Sequence, residues 1–322
     1  MIIANTSDLQ KYIPVNDTFT FATFQSYIGK ANNSYVKKYV GNLMTELESA
    51  ESGDDESIKN QAREHLRSAL ANFAFFMYQP FFQLQMDSSG MSTTTNEHRK
   101  QPEWWQLADV RRELLRSGHE SMDALMEILE QNPDEFTDFT ENYSTQYKEL
   151  LVRNANDFNN CYNIFNSRQT FLALVPTIRQ VETQLLKNFI TDEFYLELRN
   201  DIPTDAEEST TADDELKIQI KKYIQQAIVC FTIARIYNEG LFHFDASGVK
   251  LKFDALPNEK VQTIDYGKPA EQLQRAIKAQ IENGTQFILL AKEIIAENFA
   301  EGLMTTPSKV TSTIGSGGIV GI

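Results

Sequence analysis

The chain has 322 residues, a formal net charge of −15, and a 41% apolar fraction that includes 21 Phe and 12 Tyr. This aromatic content excludes wholesale disorder, and the length suits two units of ordinary domain size, each able to bury its own core. The charge repels phosphate at long range and argues against a reader of nucleic-acid sequence, though DNA can still pass an acidic surface untouched.

In chain order, the first helical period runs through Phe24, Ile28, Tyr35, Val36 and Tyr39 and fades at Gly41, with a shorter piece at 42–48. An acidic loop at 49–56 follows, carrying Gly-Asp-Asp-Glu (53–56). Leu66, Ala69, Leu70, Phe73 and Met77 then recur at three and four, as a buried helical stripe requires. Beyond them the period drops to two. Phe82, Leu84 and Met86 alternate with glutamines, Asp87-Ser88-Ser89-Gly90 supplies turn chemistry, and a return strand reaches Thr95, so a β-hairpin is expected near 82–95. Trp104 and Trp105 open the next helix and are expected to plug the local core. Leu107, Val110 and Leu114 precede Gly118, and Met122, Leu125, Ile128 and Leu129 follow it, so the glycine is expected to stop one helix of an αα-hairpin. A further helix over about 135–159, with Tyr143, Tyr147, Leu150, Leu151 and Phe158 near one stripe, is expected to join the two halves.

The same order of parts then returns. Phe171, Leu174, Val175, Ile178 and Val181 form a helical stripe in which Pro176 either occupies the first turn or makes a kink. A second acidic loop (203–215) ends in Ala-Asp-Asp-Glu (212–215); both acidic tetrads are read as helix-capping groups in preference to a divalent-cation site. The stripe Ile220, Ile224, Ala227, Ile228, Phe231 and Ala234 precedes a hairpin near 241–253 turned by Asp245-Ala246-Ser247-Gly248, with His243 as an outward polar residue. Leu273, Ile277 and Ile281 lead to Gly284, and Phe287, Leu290, Ile294 and Ile295 follow. Asp87, Gly90, Ala69 and Phe73 match Asp245, Gly248, Ala227 and Phe231 at an offset of 158 (245 minus 87). Leu107, Gly118, Glu127, Ile128 and Asn132 match Leu273, Gly284, Glu293, Ile294 and Asn298 at 166 (273 minus 107). The expected fold class is mainly α, a tandem duplication of a helical-bundle unit over 1–160 and 161–305, each unit with one β-hairpin. The segment 306–322 has five Val or Ile and four Gly in its last sixteen residues, a composition suited to lying extended against a partner.

Little in the chain suggests chemistry. Four histidines without a His-Glu-x-x-His pair, and two cysteines far apart, give no recognisable zinc site. Phosphate-loop, dinucleotide-fold and nucleophile-elbow patterns are missing, and Gly315-Ser316-Gly317-Gly318 does not lead into a helix. No enzyme activity, cofactor or metal is expected. Cys161 and Cys230 sit in apolar stretches and are expected to be buried reduced thiols. The N-terminus lacks a secretory pattern and no apolar run reaches the roughly 18 residues of a span, so a soluble cytoplasmic product without membrane association is expected.

The segments Phe-Gln-Ser-Tyr-Ile-Gly-Lys-Ala (24–31), Tyr-Val-Gly-Asn-Leu (39–43), Ala-Asn-Phe-Ala-Phe-Phe-Met-Tyr (71–78), Gln-Met-Asp-Ser-Ser-Gly-Met (85–91) and Glu-Trp-Trp-Gln-Leu (103–107) carry a family resemblance. So do Arg-Gln-Thr-Phe-Leu-Ala-Leu-Val-Pro (168–176) and Glu-Thr-Gln-Leu-Leu (182–186). They resemble an uncharacterised family of Bacteroidota phages and prophages whose members look like head-tail connector, or adaptor, proteins of tailed bacteriophages. The resemblance covers all but the acidic loops and the tail, and its motifs are packing motifs. It implies a virion neck protein assembled in the host cytoplasm, forming a homo-oligomeric ring, about twelve-fold by the resemblance. It also implies contact with portal and tail or neck proteins, with DNA passing through the lumen. The chain departs from the simplest adaptors, which carry one such unit.

Two other functions compete with this one: a helical interaction scaffold without a ring, and a metal-dependent nuclease using the acidic loops. An isolated two-stranded hairpin is marginal in water, so the hairpins are expected to protrude and meet neighbouring subunits through Asp87, Gly90, Asp245 and Gly248. Val310, Ile314, Ile319 and Val320 are the expected docking residues of the tail.

Overall fold

A computed structural model describes residues 2–49, 57–82, 84–87, 90–93, 102–186, 189–200, 211–237, 242–244, 249–251, 269–299 and 303–304. Helices dominate, in two units: Met1–Gln146 with Lys252–Val261, and Tyr147–Leu251 with Gln262–Ile322.

The first unit opens with α1 (Thr6–Gln10), whose first turn is closed by Asn5 accepting from the Asp8 amide at 2.9 Å. Next come α2 (Phe21–Ala31), a π-helical turn (Asn32–Val36) and α3 (Lys37–Val40). Gly41 ends this run at φ +61°, a left-handed conformation that disfavours any side chain, and the Tyr143 ring covers its Cα. After α4 (Leu43–Ser49), the long helices α5 (Ile58–Phe82) and α6 (Trp104–Gln131) pack against each other and enclose strands β1 (Leu84–Asp87) and β2 (Gly90–Thr93) between them in the chain. The strands pair antiparallel, with Leu84 opposite Thr93 and Asp87 opposite Gly90. Leu66, Ala69, Leu70 and Phe73 on α5 are fully buried against Met122, Leu125, Met126 and Leu129 on α6.

Gly118 does not stop a helix. α6 runs through it without interruption, and the missing side chain serves the crossing with α5. A Cβ built there would lie 2.6 Å from Cε1 of Phe73. That ring is itself fixed by stacking on Tyr35 at 4.4 Å and by edge contact with buried His119 at 4.9 Å.

Nor does one helix span 135–159. The chain instead forms α7 (Thr137–Asn142), α8 (Thr145–Lys148) and α9 (Ala155–Cys161). Asn154, extended and accepting from the Asp157 amide at 2.8 Å, starts α9 afresh. The boundary between units falls at 146/147, earlier than 160/161, because Tyr147, Leu150, Leu151 and Phe158 sink into the second core.

In the second unit, α10 (Arg168–Leu186) holds Pro176 in its interior, followed by α11 (Asp192–Arg199) and α12 (Ala212–Ile236). The 212–215 carboxylates lie in the first turn of α12, and Thr211 and Asp214 form a capping box in which each side chain accepts from the other's backbone amide. The 53–56 tetrad lies outside the described residues. Strands β3 (Phe242–Phe244) and β4 (Val249–Leu251) pair antiparallel before α13 (Pro269–Asn298). At this pair the expected protrusion is corrected at one point: Val249 is fully buried and its amide donates to the Asn163 carbonyl at 3.0 Å, so β4 starts seated on its own unit. Gly284, like Gly118, lies inside a continuous helix, and a Cβ there would be 3.0 Å from Cζ of Phe231 on α12.

The two glycines separate in a substitution test. Gly118→Ala drives a methyl into a ring that has no room to swing and should destabilise the protein by about 1–2 kcal/mol, the overpacking cost exceeding the gain in helix propensity. At Gly284 the contact is longer and the Phe231 ring is 7% exposed, so Gly284→Ala should leave the midpoint unchanged or raise it. Thermal unfolding followed by circular dichroism measures both, and Phe73→Leu should restore stability to Gly118→Ala.

Candidate functional site

Of the interface residues expected from sequence, Asp87 closes β1 and Gly90 opens β2 as cross-strand partners. Asp245, Gly248, Val310, Ile314, Ile319 and Val320 lie outside the described residues. The turn Ser88-Ser89 and the acidic loop at 203–210 do as well. Among the described residues no group of three or more His, Cys, Asp or Glu is placed to hold a metal ion, and no helix is long and apolar enough to cross a membrane. Cys161 and Cys230 are free, half-buried thiols, each pushed up to about 11 by burial.

The most organised polar site is Glu182 on α10. Its carboxylate is 3% exposed and accepts the Leu151 amide at 3.1 Å on each oxygen and the Tyr195 hydroxyl at 2.5 Å on Oε1. Gln225 on α12 donates to the Leu151 carbonyl at 2.7 Å. Both backbone groups of one linker residue are thereby satisfied by side chains from two helices, which fixes the entry of the chain into the second unit. Burial raises the Glu182 carboxyl above its ordinary range, while the Tyr195 and Leu151 bonds and the nearby Arg199 and Arg153 oppose that rise. Burial, followed by the charge of Glu182, pushes the Tyr195 phenol up. Both ionisable groups have structural tasks here. Sequence reading missed this site because a lone Glu in the apolar period of 171–186 carries no signal of its linker partner.

A second feature is a surface. Trp104 and Trp105 do not plug the core: they are 77% and 52% exposed. The α5–α6 register, with Phe73 over Gly118 and Phe76 under Arg111, sets both tryptophans opposite the point where α5 has ended. Phe81 and Phe82, at the end of α5, are open in the same way. Behind them Phe19, Phe24, Phe75 and Tyr78 form a continuous aromatic cluster, with Phe82 meeting Phe19 at 6.1 Å and Tyr78 at 5.8 Å.

The chain belongs to the family of unknown function DUF6712, which matches residues 15–158 and 184–266. The matched segments span the α5–α6 pair and α12 with its strands. No curated protein and no solved structure matches the chain.

Glu182→Ala should cost about 1–3 kcal/mol by leaving the Leu151 amide buried without its acceptor. The folded carboxyl sits above its unfolded value, so the folded state holds this proton more tightly. The stability associated with it is fully present below the unfolded value and is lost as pH rises through the folded one. Comparing denaturation of the native chain and Glu182→Gln across that acidic window checks the sign: the native chain should lose stability relative to the variant with rising pH, and the difference should level off above the folded value.

Proposed function

We propose that the chain is a structural neck protein of a tailed bacteriophage, a head-tail connector whose copies form a ring between portal and tail and let DNA through unread. The observation that carries this reading is the repeated helix pair. α5 with α6, and α12 with α13, each bury a Phe ring over a mid-helix Gly, and each first helix leads into an antiparallel strand pair. We read the two units as descendants of one hairpin-bearing bundle, which favours a rigid building block over a cleft arranged around one reactive group. The motifs that resemble the uncharacterised phage and prophage family fall on these packing elements: residues 71–78 lie on α5, 85–87 on β1, 90–91 on β2 and 103–107 at the start of α6.

A net charge of −15 suits a lumen that DNA must traverse without sticking. In this role the protein works in the virion neck after assembly in the host cytoplasm, touching portal and tail proteins and needing neither cofactor nor catalytic group. The Asp87–Gly90 and Asp245–Gly248 turns and the tail residues Val310, Ile314, Ile319 and Val320 are its proposed contacts. A helical interaction scaffold without a ring is the second reading, favoured only by the large exposed aromatic surface of the first unit.

Electron microscopy of particles carrying a labelled copy of the chain separates the two. Axial density at the neck is expected, and label dispersed away from the portal vertex would refute the connector reading. Truncation after Thr306 should leave a folded, helical protein that fails to join the neck. DNA-filled, tailed particles recovered from the truncated gene would remove the tail from the proposal.

A further inference from the structure

The two cysteines of the chain are 69 residues apart in sequence (230 minus 161), yet both belong to the second unit and fall on one helix contact. Cys161 is the last residue of α9, Cys230 lies in α12, and these helices pack against each other. The contact is anchored just before α9, where the Leu151 carbonyl accepts from Gln225 of α12 at 2.7 Å. Along α9, Ala155 and Phe158 are fully buried, and Cys161 follows at the same spacing of three, packed against the second core. On α12, Lys222 and Cys230 stand at i and i+8 of one face. Both act on the Cys161 thiol: a charge on Cys230 opposes its ionisation, and the Lys222 ammonium favours it. Cys161 therefore lies over the face of α12 that carries Cys230, and both thiols are free.

We propose that Cys161 and Cys230 form a disulfide when the protein meets a low-molecular-weight disulfide oxidant, a bond that ties α9 to α12. The thiolate of one cysteine attacks the oxidant's S–S bond and expels one thiolate, which takes up the proton the cysteine has lost. The second cysteine, deprotonated in turn, attacks the protein sulfur of the mixed disulfide. It expels the other half of the oxidant, which takes up the second proton. Two electrons pass to the oxidant, and one S–S bond forms for the one broken. Burial pushes both thiols up to about 11, so little thiolate is present near neutrality and exchange is slow there. Such a pair stays reduced during assembly in a reducing cytoplasm and closes on longer exposure to oxidising surroundings. That occasion rests on the connector reading, in which a finished particle leaves its host; the bond itself does not. Once closed, it links the linker helix to α12 around a loop that contains α10 and α11.

The purified full-length protein is incubated with oxidised glutathione at about pH 8 without denaturant, and the remaining thiols are then alkylated. Intact mass should fall by about 2 Da, no thiol should take up the alkylating agent, and digestion should release peptides joined through Cys161 and Cys230. The oxidised chain should melt roughly 5 °C or more above the reduced one. Cys161→Ser and Cys230→Ser, treated alike, should show neither the bond nor the shift. Thiols still open to alkylation, a native chain that stops at a glutathione adduct, a disulfide joining two chains, or a bond that lowers the midpoint would each overturn the proposal. Neck density in the particle is a separate readout: its absence would refute the connector reading and leave a disulfide measured in the purified protein intact.

Discussion

A phenylalanine ring lying over the Cα of a glycine sets the spacing of the longest helix pair in each unit. In the first unit Phe73 meets Gly118 with no room for a methyl group, and in the second Phe231 meets Gly284 with slightly more. The contact is useful because both helices are long. At a rise of about 1.5 Å per residue, a 25-residue helix extends nearly 40 Å, and one close approach near its middle decides which rows of side chains interlock along the rest. Around the first contact the Tyr35 stack and the His119 edge leave the ring one orientation. Around the second, Tyr223 and Phe287 stack at 6.3 Å across the same helix pair, and the core continues into Ala291 and Ile295.

Locking the two helices in this way has a consequence at their ends. α5 runs past its buried stripe into Phe81 and Phe82, and α6 begins with Trp104 and Trp105 before its own stripe starts, so these side chains stay partly open even though Phe81 meets Tyr27 of α2 at 6.2 Å and Phe82 meets Phe19 at 6.1 Å. The charge of α6 is divided as well, balanced along its first half and acidic from Asp123 onward. Apolar, charge-balanced and acidic stretches therefore follow one another along α6.

The second unit solves a different problem, the docking of a linker. Leu151 is fully buried, yet it lies between short helices and has no ladder of its own to satisfy its amide and carbonyl. Glu182 and Gln225 supply the missing partners. Nearby, Phe165 and Asn166 adopt positive φ of 57° and 52°, unusual for residues with side chains, and Asn159 and Asn163 hold the bend by accepting the amides of Ile164, Phe165 and Asn166. The buried first residue of β4 hydrogen-bonds into this bend, which thereby positions the strand.

The sequence by itself determined the helical class, the buried stripes of α5 and α12, the end of the first helical run at Gly41 and the capping role of the 212–215 carboxylates. Each of these depends on local periodicity or on groups within one turn of each other, which a linear pattern records directly. It also showed that Gly118 and Gly284 matter, but assigned them the wrong task. A glycine that ends a helix and a glycine that admits a neighbouring ring look alike in the chain, and only the position of Phe73 or Phe231 across the pair distinguishes them. The same limit explains the tryptophans: their apolar character suggested burial, while their exposure followed from where α5 ends. The linker between the units was misread as a single helix because its apolar residues are spaced by the needs of the second core and not by one helical face. Tertiary structure decided these points because each depends on a partner far away in sequence, and the burial of Glu182 against Leu151 is the clearest instance.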